Sequence, residues 1–191
     1  MPIAIAGAGT VTGISAGGLP DGCIQEADLA AGVNTIKHAE QWRVNSNFSG
    51  ATTPITNNWE RVDGTAQGGI GTNFSAPSSG AWTFPATGIW WVSFQAGFSH
   101  TSDIQWVQID IKATTSDQNY ASSSIIANGW ADLEVGAGTH YNSIRADTFV
   151  DVTDVSQVKV YFGLENQVAP TYQSFTATNS TYATFIRLGD T

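Results

Sequence analysis

The chain has 191 residues, of which 12% are charged, against about 25% in an ordinary globular domain. Seven Lys and Arg stand against sixteen Asp and Glu, for a net charge of −9, and the cations are scattered singly, which excludes the clustered basic surface that a nucleic-acid grip needs. So few charges also argue against long solvent-exposed helices, whose wet faces carry many Glu and Lys.

The first 37 residues differ from the rest: they hold no aromatic residue, are rich in Gly and Ala, and carry turn signals at Gly17-Gly18 and Leu19-Pro20-Asp21-Gly22. Asp28 to Ala31 reads as one helical turn stopped by Gly32. Such a segment cannot close a core alone, so residues 1–37 read as an attachment arm and 38–191 as the folded domain. The start, Met1 to Gly7, shows neither the basic nor the apolar region of a signal peptide. The longest apolar runs, such as Ile89-Trp90-Trp91-Val92, fall far short of the about 20 residues that span a membrane. The expectation is a soluble protein made in a cytoplasm.

From Glu40 onward the period is two. Short strands are predicted at Gln41–Val44, Trp59–Val62 and Trp82–Phe84. In Ile89–Phe98 the residues Trp90, Val92, Phe94, Ala96 and Phe98 share one face. In Ile104–Ala113 the apolar face is Val107, Ile109 and Ile111, with Trp106, Gln108, Asp110 and Lys112 opposite. Tyr120–Ile126 and Tyr141–Val150 follow. Gln157–Glu165 sets Val158, Val160, Phe162 and Leu164 against Lys159 and Tyr161. Thr181–Leu188 sets Tyr182, Thr184, Ile186 and Leu188 against Ala183, Phe185 and Arg187. Alternation on this scale, with no helical period of useful length, predicts an all-β fold: a two-sheet antiparallel β-sandwich.

One stretch is more specific. In Gly80-Ala81-Trp82-Thr83-Phe84-Pro85-Ala86-Thr87-Gly88 a Gly, an aromatic, a Pro and a second Gly lead into the aromatic strand opened by Trp90 and Trp91. This resembles the signature of the tumour necrosis factor and complement globular-head jelly rolls. Val158–Leu164 and Tyr182–Leu188 are similar to that family's closing strands, although Val155-Ser156 stands where a Gly-Asp pair is frequent and Thr184 where a Gly is usual. The resemblance implies a jelly roll assembled as a homotrimer. The arm, Gly13 to Gly22 followed by Ala27 to Ala30, is similar to stretches that precede such domains in bacteriophage virion proteins. That implies an arm bound to other virion proteins and a sandwich facing outward.

The residues offer little catalytic chemistry. His38, His100 and His140 lie far apart in sequence without ligand spacing, and Cys23 is the single cysteine, so neither a disulfide within the chain nor a cysteine-metal cluster is expected. Ser49, Ser79 and Ser93 lack a nucleophile elbow. Gly7 to Gly13 imitates a nucleotide loop, but its third Gly is misplaced and no helix follows. Asp132/Glu134 and Asp151/Asp154 offer oxygens for calcium without completing a binding loop. No enzyme, cofactor or metal is expected.

Trp91, Tyr161 and Phe185 fall on strand faces opposite the apparent core. An exposed apolar patch of that kind is rare on a soluble monomer. By the resemblance these three residues form the trimer interface; a second buried layer and a ligand platform are the alternatives. Trp106 and Trp130 are placed to stack on a sugar or to pack on loops, with Gln105, Gln108 and Asp110 as the flanking polar groups. The expected function is a non-enzymatic virion structural protein, trimeric, serving as fibre tip, knob or capsid decoration. The alternative is a carbohydrate- or host-receptor-binding module on the same fold.

Overall fold

The structure, a computed structural model, describes residues 36–71, 74–115 and 119–191. The predicted arm therefore lies outside the described residues, apart from Ile36 and Lys37. The described residues carry eleven strands: β1 (Ala39–Val44), β2 (Phe48–Ser49), β3 (Trp59–Arg61), β4 (Trp82–Thr83), β5 (Gly88–His100), β6 (Ile104–Thr114), β7 (Ser124–Leu133), β8 (His140–Val152), β9 (Lys159–Asn166), β10 (Thr171–Gln173) and β11 (Tyr182–Gly189). A 3-10 turn, Tyr120–Ser122, precedes β7.

The strands form two antiparallel sheets. One holds four strands in the order β4-β9-β6-β7. The other holds seven: β8 runs along one edge of β5 for its whole length, and β11 and β10 share the other edge. Beyond β11 lie β1 and then β3, and beyond β10 lies β2. The all-β sandwich expected from the alternating pattern is the fold observed.

The core forms where the apolar faces meet. Trp90, Val92, Phe94, Ala96 and Phe98 from β5 oppose Val107, Ile109 and Ile111 from β6 and Val160, Phe162 and Leu164 from β9, all at 1% exposure or less. Trp82 lies fully buried in an aromatic cage, its ring centroid 5.3 Å from Trp42 and 5.1 Å from both Trp59 and Phe185. Ring pairs set edge-on or tilted at such distances contribute about 0.5–1.5 kcal/mol each beyond the area they bury.

The stretch from Gly80 to Gly88 is the corner between the sheets. It does not make a hairpin, because β4 pairs with β9 in one sheet while β5 belongs to the other. Both glycines are required here. Gly80 sits at φ +83° with Pro54 packed 2.8 Å from where a Cβ would stand. Gly88 sits at φ +132°, where a Cβ would meet the Gly189 carbonyl at 2.3 Å. Trp90 then closes the corner by donating its indole N–H to the Ala86 carbonyl at 3.1 Å.

Charge enters the fold mainly as cross-strand pairs between β1 and β3. Arg43 Nε meets Glu60 Oε2 at 3.0 Å, and Arg61 meets Glu40 Oε2 at 2.9 Å. The Glu40 carboxylate also accepts from the Trp42 indole and the Phe74 amide, so this buried acid has both oxygens engaged.

Tyr172, on β10, is fully buried and stacks on Phe48 at 5.1 Å, and its hydroxyl donates to Asn166 Oδ1. Burial pushes its phenol well above the ordinary value of 10.0. The neutral phenol therefore stabilises the fold fully below pH about 10, and that contribution is lost as pH rises further, because the unfolded chain ionises there first. The urea midpoint should fall above pH about 10, and Tyr172→Phe should flatten that fall.

Candidate functional surfaces

The outer face of the seven-stranded sheet is built in rows, because residues paired across antiparallel strands share a face. Ala39, Ile186, Trp91 and Phe149 form one row across β1, β11, β5 and β8. The next row is Gln41, Thr184, Ser93 and Asp147, and the third is Arg43, Tyr182, Gln95 and Arg145. The first row is apolar and ends on Phe149, which is 68% exposed. Leu188, on the bulge of β11, is also exposed. The Arg145 guanidinium lies over the Trp91 ring, 5.3 Å from its centroid, and pairs with Asp147 at 3.4 Å.

The three aromatics predicted to share one interface fall in three different places. Trp91 lies on this outer face, half-buried beneath Arg145. Tyr161 lies on the outer face of the other sheet and is itself buried, with the Tyr120 ring of the 3-10 turn 5.3 Å away. Phe185 is in the core between the sheets, fully buried, its ring stacked 4.4 Å from Phe74. The inward face of β11 is Ala183 and Phe185, so the side expected to face solvent is the core side. The large exposed residues of the seven-stranded sheet, Phe149 and Tyr141, do not stand out in the sequence because β8 alternates weakly: Arg145, Asp147 and Asp151 share their face.

On the outer face of the four-stranded sheet, β6 carries Trp106, Gln108, Asp110 and Lys112. Gln108 pairs with Trp130 on β7 and Glu165 on β9, and Asp110 with Asn128 and Gly163. Asp110 is fully buried: Oδ1 accepts from Gln108 Nε2 at 2.6 Å, whereas Oδ2 has no partner among the described residues. A buried carboxylate oxygen with no donor is costly. Asp110→Asn keeps the acceptor for Gln108 and removes the charge, so it should raise stability by about 1 kcal/mol in urea unfolding.

Trp106 and Trp130 form a tilted pair, centroids 5.5 Å apart and planes at 59°. Their strands are offset by a bulge: between Ile104 and Val107 β6 has two residues, Gln105 and Trp106, where β7 has only Asp132. The extra residue re-aims the local side chains, as bulges do. Gln105 and Gln167 lock the rim reciprocally: the Gln105 amide donates to Gln167 Oε1 and Gln167 Nε2 donates to Gln105 Oε1, both at 3.0 Å.

Open clefts also lie among the described residues. One, of about 430 Å³, lies between Tyr141 and Phe175 over Gly97, with Gln173 and Ser143 on its wall. Another, of about 360 Å³, gathers Asp103, Asp132 and Glu134. Asp103 there accepts from the Val135 amide at 2.7 Å. Asp154 sits apart in a turn, where hydrogen bonds from Ser156 hold its carboxyl below the usual range. His100 and His140, distant in sequence, are opposed in register across β5 and β8, and the His38 ring lies 5.5 Å from Trp90. Among the described residues no group of three His, Cys, Asp or Glu is placed to hold a metal, and no helix is long and apolar enough to cross a membrane. Cys23 and the Gly7–Gly13 stretch lie outside the described residues.

No protein-family profile matches the chain, and no curated protein matches it. Among solved structures it is similar to the Eiger TNF of S. frugiperda, with a TM-score of 0.58 at 12% identity over 80% of this chain and 93% of that one. It is also similar to murine APRIL in its pH 5.0 crystal structure, with a TM-score of 0.56 at 13% identity over 79% of this chain and 98% of that one. At such identities the likeness is one of fold. The chain has a TNF-like jelly-roll fold.

Proposed function

We propose that the chain is a non-enzymatic structural protein of a bacteriophage virion, a homotrimer that serves as fibre tip, knob or capsid decoration. The observation that carries the reading is the apolar row Ile186-Trp91-Phe149 on the outer face of the seven-stranded sheet, with Leu188 beside it. In this reading the row packs about the three-fold axis, the place that the jelly-roll resemblance gives to that sheet, and leaves the four-stranded sheet facing outward. Residues 1–37 bind other virion proteins, the chain is made in the host cytoplasm, and its work is mechanical and adhesive, without cofactor, nucleic acid or membrane insertion.

The flank of Arg145 and Asp147 suits such a contact, since complementary charges beside an apolar strip set register between identical copies. Light scattering of the full chain tests the reading: a mass of about 60 kDa, three chains of 20.2 kDa, supports it. A mass of one chain overturns the trimer.

The second reading, a carbohydrate- or receptor-binding module, is favoured by a different observation, the Trp106–Trp130 pair on the opposite sheet, whose Trp130 is largely exposed. The two readings are compatible, because they use opposite faces of the sandwich.

A further inference from the structure

We infer that the outer face of the four-stranded sheet carries a binding site for a neutral saccharide, built on Trp106 and Trp130. This extends the adhesive part of the reading above, and it does not depend on three-fold assembly.

The aromatic platform comes first. Trp130 is 58% exposed and Trp106 half-buried, and their planes are tilted by 59°. A lone exposed Trp needs no explanation, but two adjoining indoles on one sheet face form an apolar surface left in water. The C–H face of a pyranose ring fits such a surface, because it is flat, weakly polar and of indole size.

The rim supplies the directional chemistry. The reciprocal Gln105–Gln167 pair consumes both amide oxygens and one proton of Gln167 Nε2. That leaves the Gln105 Nε2 protons and the second Gln167 proton as donors held in fixed orientation. Asp132, opposite the bulge, and Glu165, beside Gln108, supply acceptors for hydroxyl groups. The bulge is what puts Gln105 and Trp106 together opposite Asp132.

Charge then selects among ligands. None of the chain's seven Lys and Arg lies in residues 103–110, 124–135 or 160–168. The nearest cation on β6, Lys112, is six residues from Trp106, about 20 Å along the strand, and donates to the Tyr120 hydroxyl. Phosphate, sialic acid and uronic acid would meet carboxylates and no counter-charge. A neutral hydroxyl-rich ring meets both its needs.

The test is saturation-transfer NMR and tryptophan emission on the full chain. The probes are three neutral tetrasaccharides, of β-1,4-linked glucose, α-1,4-linked glucose and β-1,4-linked N-acetylglucosamine, with sialyllactose as the acidic probe. The expected result is transfer to the ring protons of at least one neutral tetrasaccharide and none to sialyllactose. Trp130→Ala should weaken that binding about tenfold or more, while Trp130→Phe, which keeps an aromatic face, should retain most of it. Trp130 is largely exposed, so circular dichroism of Trp130→Ala should match the parent. The inference is overturned if no neutral tetrasaccharide binds, if sialyllactose binds better, or if Trp130→Ala binds as the parent does. It is equally overturned if Phe175→Ala, in the cleft over Gly97, abolishes binding that Trp130→Ala leaves intact.

Discussion

Phe149→Glu is expected to turn a particle of about 60 kDa into single chains of 20.2 kDa in light scattering, with the fold unchanged. Phe149 is 68% exposed on β8, so the single chain loses little when it is replaced. In the proposed trimer the same side chain is buried three times over. Removing it forfeits about 1.5–3 kcal/mol of burial per copy. The introduced carboxylate joins Asp147 and Asp151 on the same face of β8 and would have to be desolvated without a partner. Those costs add over three identical contacts, which is why dissociation should be complete at micromolar concentration. If Phe149→Glu still runs at the mass of three chains, the three-fold contact lies on another surface. Arg145→Ala provides a graded comparison, because it uncovers Trp91 and leaves the apolar row intact.

Phe185→Ala is expected to behave in the opposite way, lowering stability by about 3–5 kcal/mol through the cavity left between the sheets. Phe185 is fully buried, with Phe74 at 4.4 Å, Trp82 at 5.1 Å and Phe162 at 5.9 Å. No neighbouring backbone can move in to fill so large a void, since Phe185 is paired with Glu40 on one side and Val92 on the other. For a unit of this size the loss corresponds to a fall in Tm of roughly 10 °C or more. Were Phe185 an interface residue, the substitution would instead change the mass of the particle and leave the unfolding of the separate chain untouched. Thermal unfolding and light scattering on the two variants therefore separate core from interface.

The sequence carries the architecture wherever alternation is strong. β5, β6 and β9 were legible because their core faces are unbroken rows of branched and aromatic residues, and the corner at Gly80 to Gly88 because both glycines and Pro85 have few other uses. Legibility fails for three physical reasons. β2 and β10 are short and, unlike the equally short β3 and β4, carry no Trp to mark them, so what makes them strands is pairing between distant segments. In β7 the inward positions Ala127, Gly129 and Ala131 are too small to mark a face. In β11 both faces read as half apolar, and only the paired strands decide which is inside. That ambiguity put Phe185 on the wrong side.

The candidate surfaces were legible in part for the same reason. Trp106 could be assigned a role from its own neighbours, but its partner Trp130 is brought to it by strand pairing, and Gln167 by the loop beyond β9. Phe149 was hidden among charges that share its face. Tyr161 reads as exposed by parity, yet it is buried, with the Tyr120 ring of the 3-10 turn set against it. Parity reports which face a residue occupies; whether another segment covers that face is a tertiary fact.

β1, the first strand of the sandwich, is held on both sides, by five register pairs with β11 and three with β3. A pull applied at Ile36 along the strand axis loads those two ladders in shear. All their hydrogen bonds then share the tension and must fail together, instead of opening one after another as they would if the strand were peeled sideways.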